Sequence, residues 1–166
     1  MSEPKSSRPH MPGYGIAGPL EGRGLLPWSW AEERLVNSHD YWLATVSPAG
    51  SPHVMPVWGV WAQGAAWFSS SHESRKARNI ASNPRAVITG DNPREPVVVE
   101  GTAHLIAAED AIELFTSWVN TKYGTDLPVS FFAENAAFRL EPRCVFGLDD
   151  ADFTTSPTKW DFGDEP

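Results

Sequence analysis

Residues 69–79 read S-S-S-H-E-S-R-K-A-R-N, a run of the side chains that hold an anion. The chain has only 13 Lys and Arg, yet Arg75, Lys76 and Arg78 fall together here. Before them, residues 41–72 contain no Lys, Arg, Asp or Glu. Serine hydroxyls bond phosphate oxygens, and Arg and Lys add charge-assisted bonds to them. A helix starting near Ser71 or His72 would add free N–H groups and the positive end of its dipole. Three-four spacing would then put Arg75, Arg78 and Asn79 on one face, with Lys76 beside them. The chemistry this predicts is capture of a phosphate. The plainer alternative is a solvated basic face on a short surface helix.

No catalytic set accompanies the cluster. His53 stands alone in an apolar run and reads as a hydrogen-bonded wall residue. No His, Cys, Asp and Glu spacing fits a metal site. Neither G-x-S-x-G nor H-E-x-x-H occurs, and the glycines do not fit a dinucleotide fingerprint.

The elements that must position these residues follow from periodicity. Residues 1–27, rich in Pro and Gly, read as an arm without regular structure, loose or laid over a partner subunit. Ser29 and Glu32 make a capping box before a helix at about 30–39. Residues 41–46 form a strand and 47–50 a turn. Residues 51–62 read as one strand, apolar on both faces: Val54, Trp58 and Val60 against Met55, Val57 and Trp61. Such a strand belongs inside a barrel, or between a core and a ligand or subunit. A Gln63-Gly64 hairpin leads to a strand at 65–69. The basic helix covers about 72–82 and stops at Asn83-Pro84.

Strands follow at 85–90 and 97–106. The latter alternates Val97, Val99, Gly101, Ala103 and Leu105 against Val98, Glu100, Thr102 and His104. A helix over 108–123 starts with Glu109 and Asp110, ends with Lys122, and has Gly124 as C-cap. Ile112, Phe115 and Val119 give it a core face. A sixth strand, 137–148, carries Phe138, Leu140, Cys144 and Phe146 on one face. The acidic segment 149–166 is a tail. The prediction is a mainly β (α+β) fold, a six-stranded antiparallel Greek-key barrel over 28–148 with flanking helices.

Composition bounds the function. At 166 residues and 41% hydrophobic the chain supports one well-filled domain. A net charge of −8 argues against general nucleic-acid binding and against anionic membranes. The single Cys144 excludes an internal disulfide, fits a reducing cytoplasm, and reads as a small buried apolar residue. The N-terminal S-E-P-K-S-S-R-P-H lacks the apolar core of a signal peptide. Pro48, Pro52, Pro56, Gly50, Gly59 and Gly64 break any spanning helix in the uncharged stretch. Eight tryptophans serve as core or interface anchors, or lie on a planar ligand. A phosphate grip and apolar, Trp-rich strands without a catalytic set point to a cofactor that carries the reactivity. A flavin needs a phosphate site, a slot for its ring and backbone donors along its polar edge.

The order P-H-V-M-P-V-W, hairpin, W-F-S-S-S, S-R-K-A-R-N-I-x-x-N-P and V-V-V-E-G, spanning about 25–160, resembles the pyridoxamine 5'-phosphate oxidase-like superfamily. These are split β-barrel flavoproteins of the FMN-binding type. The match is closer to the flavin/deazaflavin oxidoreductase branch. The resemblance implies that His53, Val54, Met55, Pro56, Val57 and Trp58 line the ring, and that Ser69 and Ser70 meet the ribityl-phosphate. It implies that Arg75 and Lys76 hold the phosphate and that residues 96–98, with Val97, approach the ring from a neighbouring strand. It also implies a homodimer with two cofactors at the interface. Pyridoxamine-phosphate oxidases end in an R-L-H-type motif and carry a lysine where this chain has Val57-Trp58. This chain ends S-P-T-K-W-D-F, so vitamin B6 oxidation is not its expected activity. The cofactor is FMN or coenzyme F-420, with the deazaflavin favoured. Arg78 and Arg8 are the further basic residues for its longer anionic tail. The expected function is a cytoplasmic oxidoreductase reducing a small conjugated molecule walled by Trp58 and Trp61. The alternatives are a module that binds flavin, F-420 or haem without turnover, and a cofactor-free barrel whose basic helix meets an acidic partner.

Overall fold

Runs of β-branched and aromatic residues separated by turn residues build one antiparallel sheet in the computed structural model. It describes residues 3–18 and 21–163. Residues 1, 2, 19 and 20 of the predicted arm and 164–166 of the predicted tail lie outside them. The strands are β1 (Lys5–Ser7), β2 (Tyr41–Val46), β3 (Pro52–Val57), β4 (Gly59–Ala62), β5 (Ala65–Ser70), β6 (Arg85–Thr89), β7 (Val97–Leu105), β8 (Ala136–Gly147) and β9 (Thr158–Asp161). The helices are α1 (Trp28–Asn37), α2 (Arg75–Ser82), α3 (Glu109–Tyr123) and α4 (Val129–Ala133).

The sheet runs β1-β9-β8-β7-β6-β2-β3, and β5 bridges β8 and β4. Its two ends meet through the chain itself, because β3 continues into β4 through Trp58. The six predicted strands are therefore present, with the 51–62 strand bent into two at Trp58. This is the predicted mainly β split barrel with flanking helices. Gln63 (φ 52°) and Gly64 (φ 67°) make the β4–β5 turn with both central residues left-handed, the geometry that suits strand twist.

Two cores result. The barrel interior packs Leu43, Phe68, Ile88, Val99, Leu140 and Trp160. A second cluster joins Val60 and Trp67 to Ile112, Phe115 and Val119 of α3 and Phe132 of α4. Helix α3 has the predicted acidic start and left-handed Gly124 C-cap.

Several expectations are corrected. The arm is not wholly irregular, since β1 pairs with β9, a strand inside the expected tail. Arg8 is buried and donates to the carbonyls of Thr155, Pro157 (2.8 Å), Glu21 (3.1 Å) and Arg23 (2.7 Å). It is a structural latch and not a basic residue free for a cofactor tail. Ser29 does not cap α1. The helix starts two residues earlier, after Pro27, and Glu32 instead accepts from the Trp61 indole (3.4 Å). The early start lets Trp28 pack edge-on against Trp160 and Phe162. A bulge opposite Glu100/Gly101 inserts Arg143 into β8. One extra residue inverts every face beyond it. Phe138 and Leu140 point into the core, but past the bulge Val145 is buried while Cys144 and Phe146 are only half-buried on the outer face. Cys144 is thus no core residue; burial, its largest influence, still pushes its thiol up.

Candidate functional site

Serines build the turn that leads into α2. Ser74, not Ser71 or His72, is the N-cap: its Oγ accepts from the Ala77 N–H (3.1 Å) and bonds Ser70 Oγ (2.8 Å). The Ser71 carbonyl accepts from Ser74 N–H (3.0 Å), and Ser71 Oγ accepts from Glu73 N–H (3.2 Å). The helix therefore begins at Arg75, three residues later than a start at His72. This puts Arg75 and Lys76 in its first turn. Arg78 turns back instead, and its guanidinium donates to the Glu73 carbonyl (2.6 Å). The helix is pinned to the barrel by the buried Asn79 amide, which donates to Thr45 Oγ1 (3.0 Å).

Beside this turn lies a cleft of about 310 Å³. Ser69, Ser70, Ser71, Lys76 and Asn135 line its polar side, and Pro56, Val57, Trp58, Val119, Leu127 and Phe131 its apolar side. The sequence reading named Ser69, Ser70, Lys76, Pro56, Val57 and Trp58 of these; His53, Val54, Met55 and the exposed Arg75, which it also named, are not among the residues lining the cleft. It missed Asn135 and the α4 wall. A five-residue helix is too short to show a period, and Pro128 at its N-cap was the one local signal.

Strand β3 supplies the edge of the cleft. Cross-strand partners share a face, so His53 lies with Thr45, Met55 with Leu43 and Val57 with Tyr41. Leu43 is fully buried, yet Met55 opposite it is 45% exposed, because β3 ends the sheet on this side. Val54 and Pro56 point to the outer face, where Val54 is 55% exposed. His53 is half-buried and its Nδ1 is buried without a partner. It is therefore not the hydrogen-bonded wall residue expected. Burial, then the nearby Arg75 and Lys76 cations, holds its imidazole below its usual range.

At the kink, Trp58 stacks flat on Tyr123, with centroids 4.3 Å apart and planes 6° off parallel. The Tyr123 hydroxyl donates to the His39 carbonyl (2.7 Å) and accepts from the Gly59 N–H (2.9 Å). Lys122 Nζ donates to the Gly59 carbonyl (2.6 Å). Burial lowers the Lys122 ammonium to about 8 and raises the Tyr123 phenol to about 12. A Cβ on Gly59 would sit 2.7 Å from the Trp67 carbonyl, so only glycine permits this close passage. Both α3 residues escaped the sequence reading, because their contacts depend on where the 51–62 run bends.

Two further expected residues lie in the core. Val97 is 2% exposed in the barrel core, three strands from β3, and borders a separate groove with Glu33, Arg34 and Glu95. Its side chain follows Val99 inward. Trp61 is also buried in the core and forms no wall of the cleft. Among the described residues no three His, Cys, Asp or Glu side chains gather as a metal site, and no helix is long and apolar enough to cross a membrane.

One cation, Lys76, and three serines line the same cleft as the apolar Trp58 and Phe131, a combination that fits a planar group bearing a phosphate. In sequence comparison, the profile described as pyridoxamine 5'-phosphate oxidase matches residues 31–151. The chain belongs to the pyridoxamine 5'-phosphate oxidase family. Among solved structures of this family's fold, one named F420 reductase is 26% identical over 69% of this chain and 94% of its own, with a TM-score of 0.58. A conserved hypothetical protein of Mycobacterium tuberculosis is 21% identical over 82% of this chain and 85% of its own, with a TM-score of 0.63. A haem storage protein of Vibrio cholerae is 22% identical over 69% and 86%, with a TM-score of 0.52. The last two share the fold alone. No curated protein matches the chain.

Proposed function

We propose that this chain is an oxidoreductase that uses reduced FMN or an F-420-type deazaflavin to reduce a small conjugated molecule. The observation that carries the reading is the cleft that Ser69, Ser70, Ser71 and Lys76 line together with Trp58 and Phe131. The likeness to F420 reductase favours the deazaflavin. When bound, the reduced cofactor supplies the hydride. The chain's own part is to orient and to dry. Lys76, with Arg75 beside it, holds the phosphate; the serines bond the ribityl end; Met55, Val57 and Trp58 bound the ring and exclude water.

A homodimer fits the exposed sheet face. The outward rows Pro56–Trp42–Thr89–Val98–Phe146–Lys159 and Val54–Ala44–Val87–Glu100–Cys144–Asp161 are largely apolar toward β3 and carry charges toward β9, and Trp42 is 47% exposed. A second copy laid there would also cover the open edge at β3. The composition supports a cytoplasmic setting.

A second reading, binding without turnover, draws on the lining itself. Lys76 is the one ionisable side chain among the described residues of the cleft wall, so a proton for the substrate must come from water or the cofactor.

The test is fluorescence titration with FMN and F-420, followed by oxidation of the reduced complex with quinones, enones and tetrapyrroles. Binding with turnover upholds the oxidoreductase, and binding without it upholds the module. Arg75→Ala with Lys76→Ala removes two charge-assisted contacts and weakens the cofactor by roughly a hundredfold, about 3 kcal/mol. Unchanged affinity in the folded double variant overturns the site.

A further inference from the structure

We propose that His53 is a proton-linked third arm of the anion grip, taking up a proton from solvent as a phosphate ester docks beside Arg75 and Lys76. The inference rests on the cofactor reading of this cleft and adds a residue-specific pH dependence to it.

Four observations carry it. First, His53 is on the inner face of edge strand β3, half-buried, with Nδ1 sealed from water and unpartnered. A buried imidazole nitrogen in a folded protein ordinarily has a partner. Second, Thr45, directly across the ladder, accepts the Asn79 amide and makes no bond to the His53 ring. Third, the charged groups acting on His53 are Arg75 and Lys76 of α2, both cations, and no carboxylate of the described residues is among them. The only ionisable side chain of β2 is Tyr41, whose hydroxyl is committed to the Leu35 carbonyl. Fourth, the same two cations head the helix whose serine-built turn borders the cleft.

A histidine under the influence of two cations and no acid lacks a negative charge. An arriving phosphate supplies it. The anion offsets the repulsion from Arg75 and Lys76 and accepts a hydrogen bond from a ring nitrogen, and both nitrogens donate once the ring is protonated. Proton and phosphate therefore bind with positive coupling, and by reciprocity the affinity for the phosphate rises as pH falls.

The experiment is isothermal titration calorimetry at about pH 7 in two buffers of different ionisation enthalpy, with FMN, F-420 and riboflavin as probes. FMN's monoester titrates near pH 6 by itself, whereas the phosphodiester of F-420 does not, and riboflavin has no phosphate. Wild type takes up a sizeable fraction of a proton with FMN or F-420 and none with riboflavin. Its affinity tightens by about tenfold for each unit by which the anion raises the imidazole. His53→Gln loses the uptake seen with F-420 and the corresponding part with FMN. His53→Arg carries its charge permanently, so it binds at pH 8 as tightly as wild type does at pH 6.5. With F-420 as probe, unaltered proton uptake in His53→Gln, or a pH slope retained in His53→Arg, overturns the proposal while leaving the cofactor site intact. Absence of binding by every probe in wild type overturns both.

Discussion

Strands β3 and β4 are consecutive, share one apolar composition and read as a single strand, yet they live in opposite environments. In β4, Val60 and Trp61 are 5% and 7% exposed. Val60 faces the α3–α4 cluster and Trp61 the barrel interior, so both faces are covered by the chain itself. In β3, Val54 and Met55 are 55% and 45% exposed, one on each face. The bend at Trp58 separates the two. Apolar residues on both sides of a strand therefore specify that both sides are to be covered, not what covers them. Where the fold supplies no cover, as at β3, both faces stay open, and the ligand and second subunit proposed above would cover them.

The sharpest way to break this contrast is truncation on each side of the bend. Phe68→Ala, in β5 against β4, empties a fully buried site and costs about 3–5 kcal/mol in urea unfolding, at any protein concentration. Val54→Asp changes the stability of the dilute single chain by no more than about 0.5 kcal/mol. Its effect appears as a concentration-dependent loss of dimer in sedimentation. Equal costs would show that β3 is as deeply packed as β4.

A smaller effect tests the hinge. Tyr123→Phe keeps the ring stacked on Trp58 but removes the oxygen that accepts from Gly59 N–H. It costs about 1–2 kcal/mol and sharply alters the near-ultraviolet circular dichroism of Trp58. An unchanged spectrum would mean that the stack alone fixes the bend.

The smallest effect is a pH profile. Lys122 falls from 10.5 to about 8 on folding, so between these values the unfolded chain holds the extra proton and stability rises with pH. Tyr123 rises from 10.0 to about 12, so above pH 10 the folded chain holds the extra proton and stability falls. Urea midpoints therefore climb from pH 8 to about 10 and then decline. Lys122 is only partly buried, and with solvent screening the climb is below about 1 kcal/mol. Lys122→Met abolishes the climb and keeps the decline.

What was legible in the sequence was local. The alternation of β7, the acidic start and glycine stop of α3, and the hairpin at Gln63-Gly64 are set by neighbours in the chain. So was the serine and Arg75-Lys76 cluster, since one turn builds it. What escaped depended on distant partners. Arg143 cannot be seen as a bulge without β7 beside it. Val97 reads equally well as wall or core until the strand order puts β6 and β2 between it and β3. His53 was visible, but its missing partner was not, because sequence shows which groups exist and not which are already engaged.

The pairing of β1 with β9, with Arg8 clasping the Thr155 carbonyl 147 residues away, has a consequence for biosynthesis. A ribosome extrudes the chain from its amino end. The first strand must therefore wait, and its guanidinium stay hydrated, until nearly all the remaining polypeptide has emerged. Fastening of this edge is consequently among the last events of maturation, and a stalled nascent chain that lacks β9 would expose β1 to degradation.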